Sequence, residues 1–537
     1  MRSHTMHRNI RRSALRACAC LLALLLAGMP PCALASTSDV IAAQSLTLAI
    51  VADENMVLSP LSLRQRDPLS VLALCYEGLI ALDDAEHPEP ALAESWEPPR
   101  GNGSKWVFHL RPNVTFHNGK PLTAHDVCAT LDYIFALGGY DEDRKSALPE
   151  EERGVHGNLV AYISGWQALD DLTVEITAAR RYYGLLNAMT FPVLPAEEVG
   201  QAAPSGTGPY RIAEYTPGER IWLTAWRGWW QVPPTTQNIM ANIYPDTEKA
   251  LAAFDAGRVD ATMTRSLSAT RYAGSMRSFS LNYRTRQVEM LLMHNADRNK
   301  ILAEEKVRRA VMLAIDRSAL VRQAYQNMAT PVTTPIAPGT WVYDESANRD
   351  GYDPAAARAL LEECGWKLNS EGVRVRASGS TVTELRLRLL TYEEPGNSVR
   401  RSAATSIQEM LEQVGIITSL QVSPYESVKS RLSSGDFELV LCGMNLDVVP
   451  DQGFLLMSGI NYCRYRSEAM TKLIQNWRKQ VDEQDYRNAL SEIQHLFATE
   501  VPFGCLYYRT GALLTRQTFT DVRDIRELEL LRGIEAW

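Results

Sequence analysis

The residues that could carry out covalent chemistry in this sequence do not form a recognised catalytic pattern. The chain contains no H-E-x-x-H, G-x-S-x-G, S-x-x-K or G-x-x-x-x-G-K-[ST] motif, and no C-x-x-C pair occurs beyond residue 35. Acidic pairs such as Asp83-Asp84 are typical of solvated loops, because carboxylates are abundant along the whole chain. The missing motifs therefore disfavour an enzyme, and no catalytic residue is assigned.

Two histidines and one glycine-containing turn are the remaining candidates for a metal or phosphate site. His109 and His117 stand eight residues apart on one predicted hairpin, so they could share a metal ion only in a favourable register. The Gly-Thr-Gly sequence at 206–208 resembles the start of a phosphate-binding loop, but Pro209 follows it and no third glycine or lysine completes the motif. We therefore expect a tight turn there, no metal site and no cofactor.

Four tryptophans within nine residues form a dense aromatic segment at Trp222, Trp226, Trp229 and Trp230. Indole rings stack on ligands, and they also pack well where two lobes of a protein meet. Two interpretations, a ligand-stacking surface and a buried interface between lobes, are both open from the sequence.

The first 35 residues have the three parts of a secretory signal peptide. Arginines at 8, 11, 12 and 16 precede an apolar run at 17–27, and the small-x-small sequence at 33–35 follows. An uncleaved membrane anchor is disfavoured because the run has 11 residues, whereas crossing a bilayer takes about 20. The residues before Cys32 do not form a lipobox. We therefore predict export to the periplasm or the outer face of the cytoplasmic membrane, with cleavage before Ser36 and no lipid on Cys32.

Composition places the exported part of the chain among globular proteins with an acidic surface. The whole chain is 45% hydrophobic and 22% charged. Cleavage after residue 35 removes five of the 55 basic side chains and none of the 63 acidic ones, so the net charge becomes −13. Nucleic acids and anionic membranes are bound through basic patches, so neither is expected as a partner.

Six cysteines remain after cleavage, an even number that permits disulfides in an exported protein. A chain of this size has enough core to fold without disulfides. Cys128 and Cys364 fall within helical patterns, where they resemble small buried side chains. Cys442 and Cys463 are the pair that we expect if a disulfide forms.

The elements that must position any binding site alternate between short apolar strands and amphipathic helices, which predicts an α/β protein with more than one lobe. Residues 45–52 are predicted as a strand, and a second strand is predicted at 503–514. Helices are predicted over 306–326 and 467–499, and a further helix begins at Asp353.

Several short motifs in a fixed order resemble those of the bacterial family 5 extracellular solute-binding proteins, the group of oligopeptide-, dipeptide- and nickel-binding proteins of ABC importers. The motifs are YEGL at 76–79, PALAESW at 90–96, WVFHLR at 106–111, FHNGKPLTAHDV at 116–127, GTGPY at 206–210, and VRRA at 307–310 leading to AIDR at 314–317. The resemblance covers nearly all of the chain beyond the signal peptide. It rests on the number, order and spacing of these motifs rather than on any single one.

This resemblance implies the bilobed class II periplasmic-binding-protein-like fold, an α/β architecture with an extra third domain. The boundaries that it implies are 36–75, 191–288 and 511–537 for a discontinuous lobe I, 76–190 for the extra domain, and 289–510 for lobe II. The lobes are expected to close on a ligand held in the cleft between them by a hinge rotation.

Peptide-binding members of this family hold the α-ammonium group of the ligand with an aspartate in the last lobe. The resemblance places Asp447 at that position, with Met444 where the family has tryptophan. Asp451, which follows a shifted proline, is the alternative anchor, and Asn445 and Met444 are expected to contribute to the ligand site. In a cleft that excludes water, a fixed carboxylate pairs strongly with an ammonium. A carboxylate that only caps the turn is the structural alternative.

The function that the resemblance implies is capture of small peptides, with the peptide main chain pairing with strand edges. The chain would act as a monomer and deliver its cargo to a membrane permease driven by a separate ATPase. The same fold could instead hold a nickel chelate, an opine, glutathione or a sugar. A hydrolase and a sensor or adhesin are also open from the sequence, and the missing motifs disfavour the hydrolase.

Overall fold

The computed structural model describes residues 45–137, 140–141, 146–147, 155–296, 301–347, 351–394, 398–451, 453–457, 460–516 and 525–534. The predicted signal peptide at 1–35, including Cys32 and the cleavage site, lies outside these ranges. None of the helices within them is long and apolar enough to cross a membrane.

An eleven-stranded mixed sheet dominates the described residues. In spatial order its strands are β10 (Tyr210–Thr216), β11 (Arg220–Ala225), β12 (Asn238–Tyr244), β1 (Ser45–Val51), β13 (Ala261–Thr264), β22 (Gly504–Thr515), β14 (Phe279–Met293), β21 (Leu439–Asn445), β19 (Arg386–Tyr392) and β20 (Ile417–Ser423), with β15 (Ala329–Pro331) paired to β22.

Four smaller sheets accompany the large one. They consist of β4 (Ala93–Glu97), β5 (Lys105–Leu110), β9 (Thr173–Ala178) and β8 (Ile163–Asp170); of β16 (Lys367–Leu368), β17 (Arg374–Ser378) and β18 (Thr381–Glu384); of β2 (Ile80–Leu82) and β3 (Pro88–Pro90); and of β6 (Tyr140–Asp141) and β7 (Ser146–Ala147).

The described residues also form twelve α-helices. They are α1 (Arg66–Leu72), α2 (Ala124–Leu137), α3 (Leu185–Ala188), α4 (Thr247–Asp255), α5 (Glu305–Leu313), α6 (Arg317–Tyr325), α7 (Pro354–Glu363), α8 (Val399–Glu412), α9 (Tyr425–Ser434), α10 (Gly453–Leu456), α11 (Glu468–Trp477) and α12 (Glu483–Glu500), with short 3-10 helices at Gly157–Ala161, Leu267–Tyr272 and Glu345–Ala347.

The strand that leads to the predicted ligand site is buried on both faces. On β21, Leu439 and Leu441 enter the core formed with helices α5 to α8, whereas Val440 and Cys442 enter the largest core of the protein. This alternation follows from the two-residue repeat of a strand, and the continuous apolar run is typical of a strand covered on both sides. Two packed faces fix the register of β21, and with it the position of the loop that follows.

Two long strands connect the halves of the large sheet. Strand β22 pairs with β13 through Ala512–Thr515 and with β14 along most of its length, while β14 also pairs with β21. The register of the β14–β22 ladder shifts between Arg284 and Val288. Residues Leu46–Trp537 group into one compact unit, and the boundaries predicted for the two lobes and the extra domain stay a prediction.

Two of the predicted helices are each divided in the structure. The predicted helix 306–326 is wrong as one element, because Asp316 caps a new helix by accepting a hydrogen bond from the amide of Ala319 at 2.8 Å. The predicted helix 467–499 is likewise interrupted, and Asp482 caps its second half. An aspartate side chain competes with the backbone for hydrogen bonds and so favours a new N-terminus over continuation. The cap at Asp353 and the strands at β1 and β22 agree with the predictions.

Candidate functional site

The loop after β21 carries the predicted ligand-binding residues. Asn445, the last residue of β21, is exposed and lies opposite Gln287 of β14. Asp447 is half-buried and Asp451 is buried. Met444 is half-buried and packs against the largest core. The structure therefore brings Asn445, Asp447 and Asp451 to one place and turns Met444 toward the interior.

These three residues line a cavity of about 530 Å³. The volume is within the range of about 300 to 1,000 Å³ that is typical of sites for small molecules. The other lining residues come from distant parts of the chain and are Ala161, Tyr162, Arg180, Gly453, Met457 and Arg478. The cavity is thus formed between the segment at 161–180, which belongs to the predicted extra domain, and the segment at 445–478 of predicted lobe II.

Asp451 is fully engaged by protein groups. Its carboxylate accepts hydrogen bonds from Arg478. Nη2 of Arg478 lies 2.7 Å from each carboxylate oxygen, and Nε lies 3.0 Å from Oδ2. The amide of Gly453 donates to Oδ1 at 2.7 Å. A two-pronged contact with arginine is among the strongest pairings available to a carboxylate. Asp451 therefore acts as a structural anchor for the loop, which makes it a poor receptor for a ligand ammonium.

Asp447 has only neutral hydrogen-bond partners in the described part of the chain. Its Oδ2 accepts hydrogen bonds from the side-chain amide of Asn158 and, at 3.2 Å, from the hydroxyl of Tyr162. Its Oδ1 accepts a long hydrogen bond of 3.4 Å from the backbone amide of Val449. No arginine, lysine or histidine nitrogen of the described residues forms an ion pair with it. The carboxylate thus keeps acceptor capacity on Oδ1 and lacks a balancing cation.

The groups around Asp447 are held in neutral, hydrogen-donating forms. Burial, together with the nearby carboxylates of Asp447 and Asp451, raises the pKa of the Tyr162 phenol above its ordinary value. Burial also lowers the pKa of His156 to about 4, against the opposing effect of Asp447. At neutral pH, Tyr162 is therefore a donor and His156 is uncharged. Neither group neutralises Asp447.

The tryptophan segment lies outside the cavity and contacts residues of the predicted extra domain. Trp229 and Trp230 both donate their indole hydrogens to Oε1 of Glu77 at 3.2 Å, and the guanidinium of Arg111 lies 4.5 Å from the centre of the Trp230 ring. These contacts join a segment of predicted lobe I to the predicted extra domain. The four indole rings are half-buried, and of the two interpretations open from the sequence their contacts favour an interface between chain segments.

The Gly-Thr-Gly turn at 206–208 packs on backbone. A Cβ atom on Gly206 would come within 1.9 Å of the carbonyl oxygen of Cys75, and one on Gly208 within 2.5 Å of that of Leu74. Carbonyl oxygens repel a phosphate, so the glycines serve close packing of two chain segments. The turn is structural, as the sequence predicts.

The two histidines of the predicted hairpin have separate partners. His117 binds the carbonyl of Gly208 through Nε2 at 2.9 Å, and its Nδ1 accepts from the amide of Gly206 at 3.2 Å. His109 lies 3.3 Å from Glu97. Within the ranges that the structure describes, no group of three His, Cys, Asp or Glu side chains could hold a metal ion.

The arrangement closest to a catalytic triad does not function as one. Nε2 of His495 lies 3.2 Å from Asp344 and also 3.2 Å from the hydroxyl of Ser346. A triad needs the carboxylate on one ring nitrogen and the nucleophile on the other, so that a proton passes across the ring. Here both groups share a single nitrogen, which gives a surface network without a proton relay.

The expected disulfide between Cys442 and Cys463 is absent from the structure. Both are free, buried thiols, as are Cys75 and Cys505, while Cys128 and Cys364 are half-buried and free. Burial raises the pKa of Cys442 and of Cys463 to about 12, which keeps both protonated and unreactive. These cysteines fill core space, as the size of the chain allows.

The large mixed sheet with its helices is an α/β architecture, and comparison with solved structures supports the predicted bilobed fold. The structure of the oligopeptide-binding protein AppA from Bacillus subtilis with a nonapeptide superposes with a TM-score of 0.62 at 21% identity, covering 92% of this chain and 98% of that one. The predicted bilobed fold is confirmed.

The family is shown by the sequence itself. The model for "Bacterial extracellular solute-binding proteins, family 5 Middle" matches residues 87–463, and the chain belongs to this family. The oligopeptide-binding protein AppA of Bacillus subtilis (strain 168) is 25% identical over 483 residues, which is 86% of each chain. The nickel-binding periplasmic protein of Escherichia coli (strain K12) is 24% identical over 384 residues, covering 68% of this chain and 69% of the relative. Members of this family are solute-binding components of ABC importers and are not enzymes, which confirms the class expected from the sequence.

Proposed function

We propose that this chain captures small peptides in the cavity beside β21 and delivers them, from the periplasm or the outer face of the cytoplasmic membrane, to an ABC permease. The observation that carries the proposal is the state of Asp447, a cavity-lining carboxylate that has three neutral donors and no cationic partner among the described residues. A carboxylate that lacks a balancing cation favours a cationic ligand group. The ammonium terminus of a peptide supplies such a group.

Asp447 is the better candidate of the two aspartates because their partners differ. Arg478 already neutralises Asp451 and occupies both of its oxygens. An ammonium at Asp451 would have to compete with a guanidinium that is covalently fixed in place. At Asp447 it would compete only with an amide and a hydroxyl, which are weaker donors than a cation.

Capture requires no chemistry in this proposal. The ligand would bridge the segment at 158–180 and the segment at 445–478, and closure of the two sides would exclude water from the ion pair. The loaded form would then be recognised by a permease, with the ATPase as a separate subunit. A monomer is sufficient for this role, since both sides of the cavity belong to one chain.

Cargo of another kind has less support from the site. Relatives in the family include a nickel-binding protein. In this chain the cavity residues Asp447 and Asp451 come with two arginines, Arg180 and Arg478, and without histidine or cysteine in the lining. Arginines repel a metal cation, and nickel prefers imidazole and thiolate ligands. Peptides therefore remain the proposal.

Calorimetry on a double cycle tests the proposal, with Asp447→Asn as the protein change and N-acetylation of di- and trialanine as the ligand change. Each change alone should weaken binding by about 2 to 5 kcal/mol, because it leaves one partner of a desolvated ion pair alone. In the mutant, acetylation should have little further effect. Asp171→Asn, at an exposed aspartate outside the cavity, is the matched control and should bind as wild type does.

Two results would contradict the assignment of Asp447. A mutant that loses affinity but still rejects the acetylated peptide would show that Asp447 is structural. A mutant that binds normally would remove the main residue-level support for peptide cargo.

A further inference from the structure

A second cavity adjoins the first at Asp447. Asp447 lines both cavities, and the two share no other lining residue. We call the second cavity the side pocket. It lies where β14, the segment at 335–342 and the loop after β21 meet, and its volume is about 50 Å³, against about 530 Å³ for the larger cavity. A ligand group that binds Asp447 therefore has a small separate space beside it.

The wall of the side pocket is mainly apolar. Six large apolar or aromatic side chains line it, and they are Ile336, Trp341, Val342, Leu446, Val448 and Tyr508. Three of these, Ile336, Val342 and Tyr508, are only 3%, 4% and 3% exposed, so the rest of the fold holds them in place. Because the removal of apolar surface from water favours binding, this wall favours an apolar ligand group.

The polar groups of this wall are engaged by other protein groups. Three hydroxyls line the side pocket, each donating to a backbone carbonyl at 2.7 or 2.8 Å, and they belong to Thr285, Thr340 and Tyr508. The guanidinium of Arg284 pairs with the carboxylate of Glu86 at 2.8 Å. A polar ligand side chain would lose its hydration and would have to displace one of these bonds. The hydrogen bonding of the wall thus also favours an apolar group.

A peptide whose ammonium group binds Asp447 places its first side chain beside the side pocket. A hydrogen bond between charged groups spans about 2.8 Å and the nitrogen is bonded to Cα, so Cβ of the first residue lies within about 5 Å of the carboxylate. In an extended chain the second side chain points to the opposite side. The side pocket is therefore within reach of the first side chain and not of the second.

The volume of the side pocket limits the size of that side chain. A group of the size of water takes about 10 to 15 Å³, so about 50 Å³ holds about four of them. The side chains of valine, leucine and isoleucine have three or four carbon atoms, whereas that of phenylalanine has seven. Arg286 also lines the pocket and disfavours a basic side chain by like-charge repulsion.

We infer that the side pocket binds the first side chain of the captured peptide and selects an aliphatic one of the size of valine, leucine or isoleucine. This inference rests on the proposed function, because it takes the ammonium group at Asp447 as the fixed end. Pairing of the peptide main chain with strand edges does not distinguish side chains. The side pocket adds selection at one position of the ligand.

Calorimetry with five dipeptides tests the selection. The probes are dialanine, leucyl-alanine, alanyl-leucine, phenylalanyl-alanine and glutamyl-alanine. Wild type should bind leucyl-alanine about tenfold or more tightly than dialanine, because the added carbons enter an apolar pocket. Alanyl-leucine should bind as dialanine does, since its leucine points away from the pocket. Phenylalanyl-alanine should bind more weakly than leucyl-alanine, because its ring exceeds the volume.

Two variants change the volume of the side pocket in opposite directions. Ala337→Leu places added carbons at a half-buried position of the wall and should abolish the preference for leucyl-alanine over dialanine. Val342→Ala enlarges the pocket and should raise the affinity for phenylalanyl-alanine relative to leucyl-alanine. Ala377→Leu, at an exposed alanine of β17 outside both cavities, is the matched control and should keep the wild-type order of affinities. Thermal unfolding of each variant shows whether it is folded.

Three results would overturn the inference. The first is equal binding of leucyl-alanine and dialanine by wild type. The second is a gain for alanyl-leucine as large as that for leucyl-alanine, or a preference that persists in folded Ala337→Leu, because the apolar side chain would then bind elsewhere. The third is tighter binding of glutamyl-alanine than of leucyl-alanine, which would show that Arg286 selects an acidic side chain.

The same probes separate this inference from the proposed function. If dialanine binds wild type, N-acetylation weakens it and the first side chain has no effect, the ammonium site at Asp447 stands and only the role of the side pocket is overturned. If none of the dipeptides binds wild type, both proposals fail.

Discussion

Arg478 holds both carboxylate oxygens of Asp451, with Nη2 2.7 Å from each oxygen and Nε 3.0 Å from Oδ2. Arg478 directly follows helix α11, and Asp451 ends the loop that leaves β21. Both side chains are largely buried, with 17% and 7% of their surface exposed. This pair therefore ties a helix to the loop that carries Asp447 and sets one wall of the cavity.

Removal of one partner of this pair should destabilise the protein strongly. We expect Arg478→Ala to lower the free energy of unfolding by about 3 to 5 kcal/mol, since it leaves Asp451 as a buried, unpaired charge. Urea denaturation followed by tryptophan fluorescence measures the change. Arg487→Ala, on the exposed face of α12, is the control and should change stability by about 0.5 kcal/mol or less.

The double variant distinguishes a charge effect from a packing effect. Arg478→Ala combined with Asp451→Asn should recover part of the lost stability, because the remaining side chain is neutral. A double variant that is less stable than Arg478→Ala alone would show that the contact matters through packing rather than through charge.

Glu77 should make stability depend on pH in a way that a single substitution removes. Burial raises its pKa to about 7, although Trp229 and Trp230 donate hydrogen bonds to the carboxylate. Between pH 4.5 and 7 the folded protein keeps a proton that the unfolded chain has released, so this group favours folding less as the pH rises. The free energy of unfolding of wild type, minus that of Glu77→Gln, should fall by about 3 kcal/mol across this range and stay constant above it.

Paired denaturation curves of wild type and Glu77→Gln at five pH values provide the measurement. Other buried groups, including Asp67 and His117, also titrate with shifted pKa values. They are present in both proteins and cancel in the difference. A difference that does not change with pH would show that Glu77 is ionised in the folded state throughout this range.

The sequence predicted the scaffold better than the site, for physical reasons. The apolar runs of β1 and β22 and the side-chain cap at Asp353 are local signals, and the structure contains all three. The divided helices were missed because apolar residues continue at helical spacing across Asp316, although the aspartate itself marked the new N-terminus. The resemblance to the family placed Asp447 at the cavity, a position that local patterns alone do not indicate.

The partners of Asp447 could not be predicted because the chain brings them from far away. Tyr162 contacts Asp447 across 285 residues of sequence. Nothing near Tyr162 or Arg180 in the sequence differs from an ordinary strand end, so only the fold shows that they face the aspartates. The same applies to Asp451, whose engagement by Arg478 separates it from Asp447 as a candidate.

Cargo length should be limited by the volume of the cavity. A thermal-shift screen with di-, tri- and pentaalanine should show a larger increase in Tm for the two shorter peptides than for the pentapeptide. Ligand at 100 times its Kd stabilises a folded protein by about 2.7 kcal/mol, which is several times the resolution of the method. Equal or greater stabilisation by the pentapeptide would show that the cavity extends when the protein binds, and stabilisation by Ni(II) alone would favour metal cargo.

Ligand-free closure should depend on the contacts that Asn158 and Tyr162 make with Asp447. These contacts join the predicted extra domain to predicted lobe II through groups of the protein itself. A hydrogen bond to a charged acceptor contributes about 1.5 to 3 kcal/mol, so the pair is strong enough to shift a balance between open and closed forms. In the variant Asn158→Ala/Tyr162→Phe, small-angle scattering should give a larger radius of gyration for the ligand-free protein than in wild type. Saturating dialanine should compact both proteins to the same radius of gyration, since the ligand then supplies the bridge.

Ser164→Ala, at an exposed serine of the same segment that does not contact Asp447, is the control and should scatter as wild type does. A double variant that scatters as wild type without ligand would show that Asn158 and Tyr162 do not hold the two sides together. If dialanine binds without compacting either protein, the predicted hinge closure is wrong.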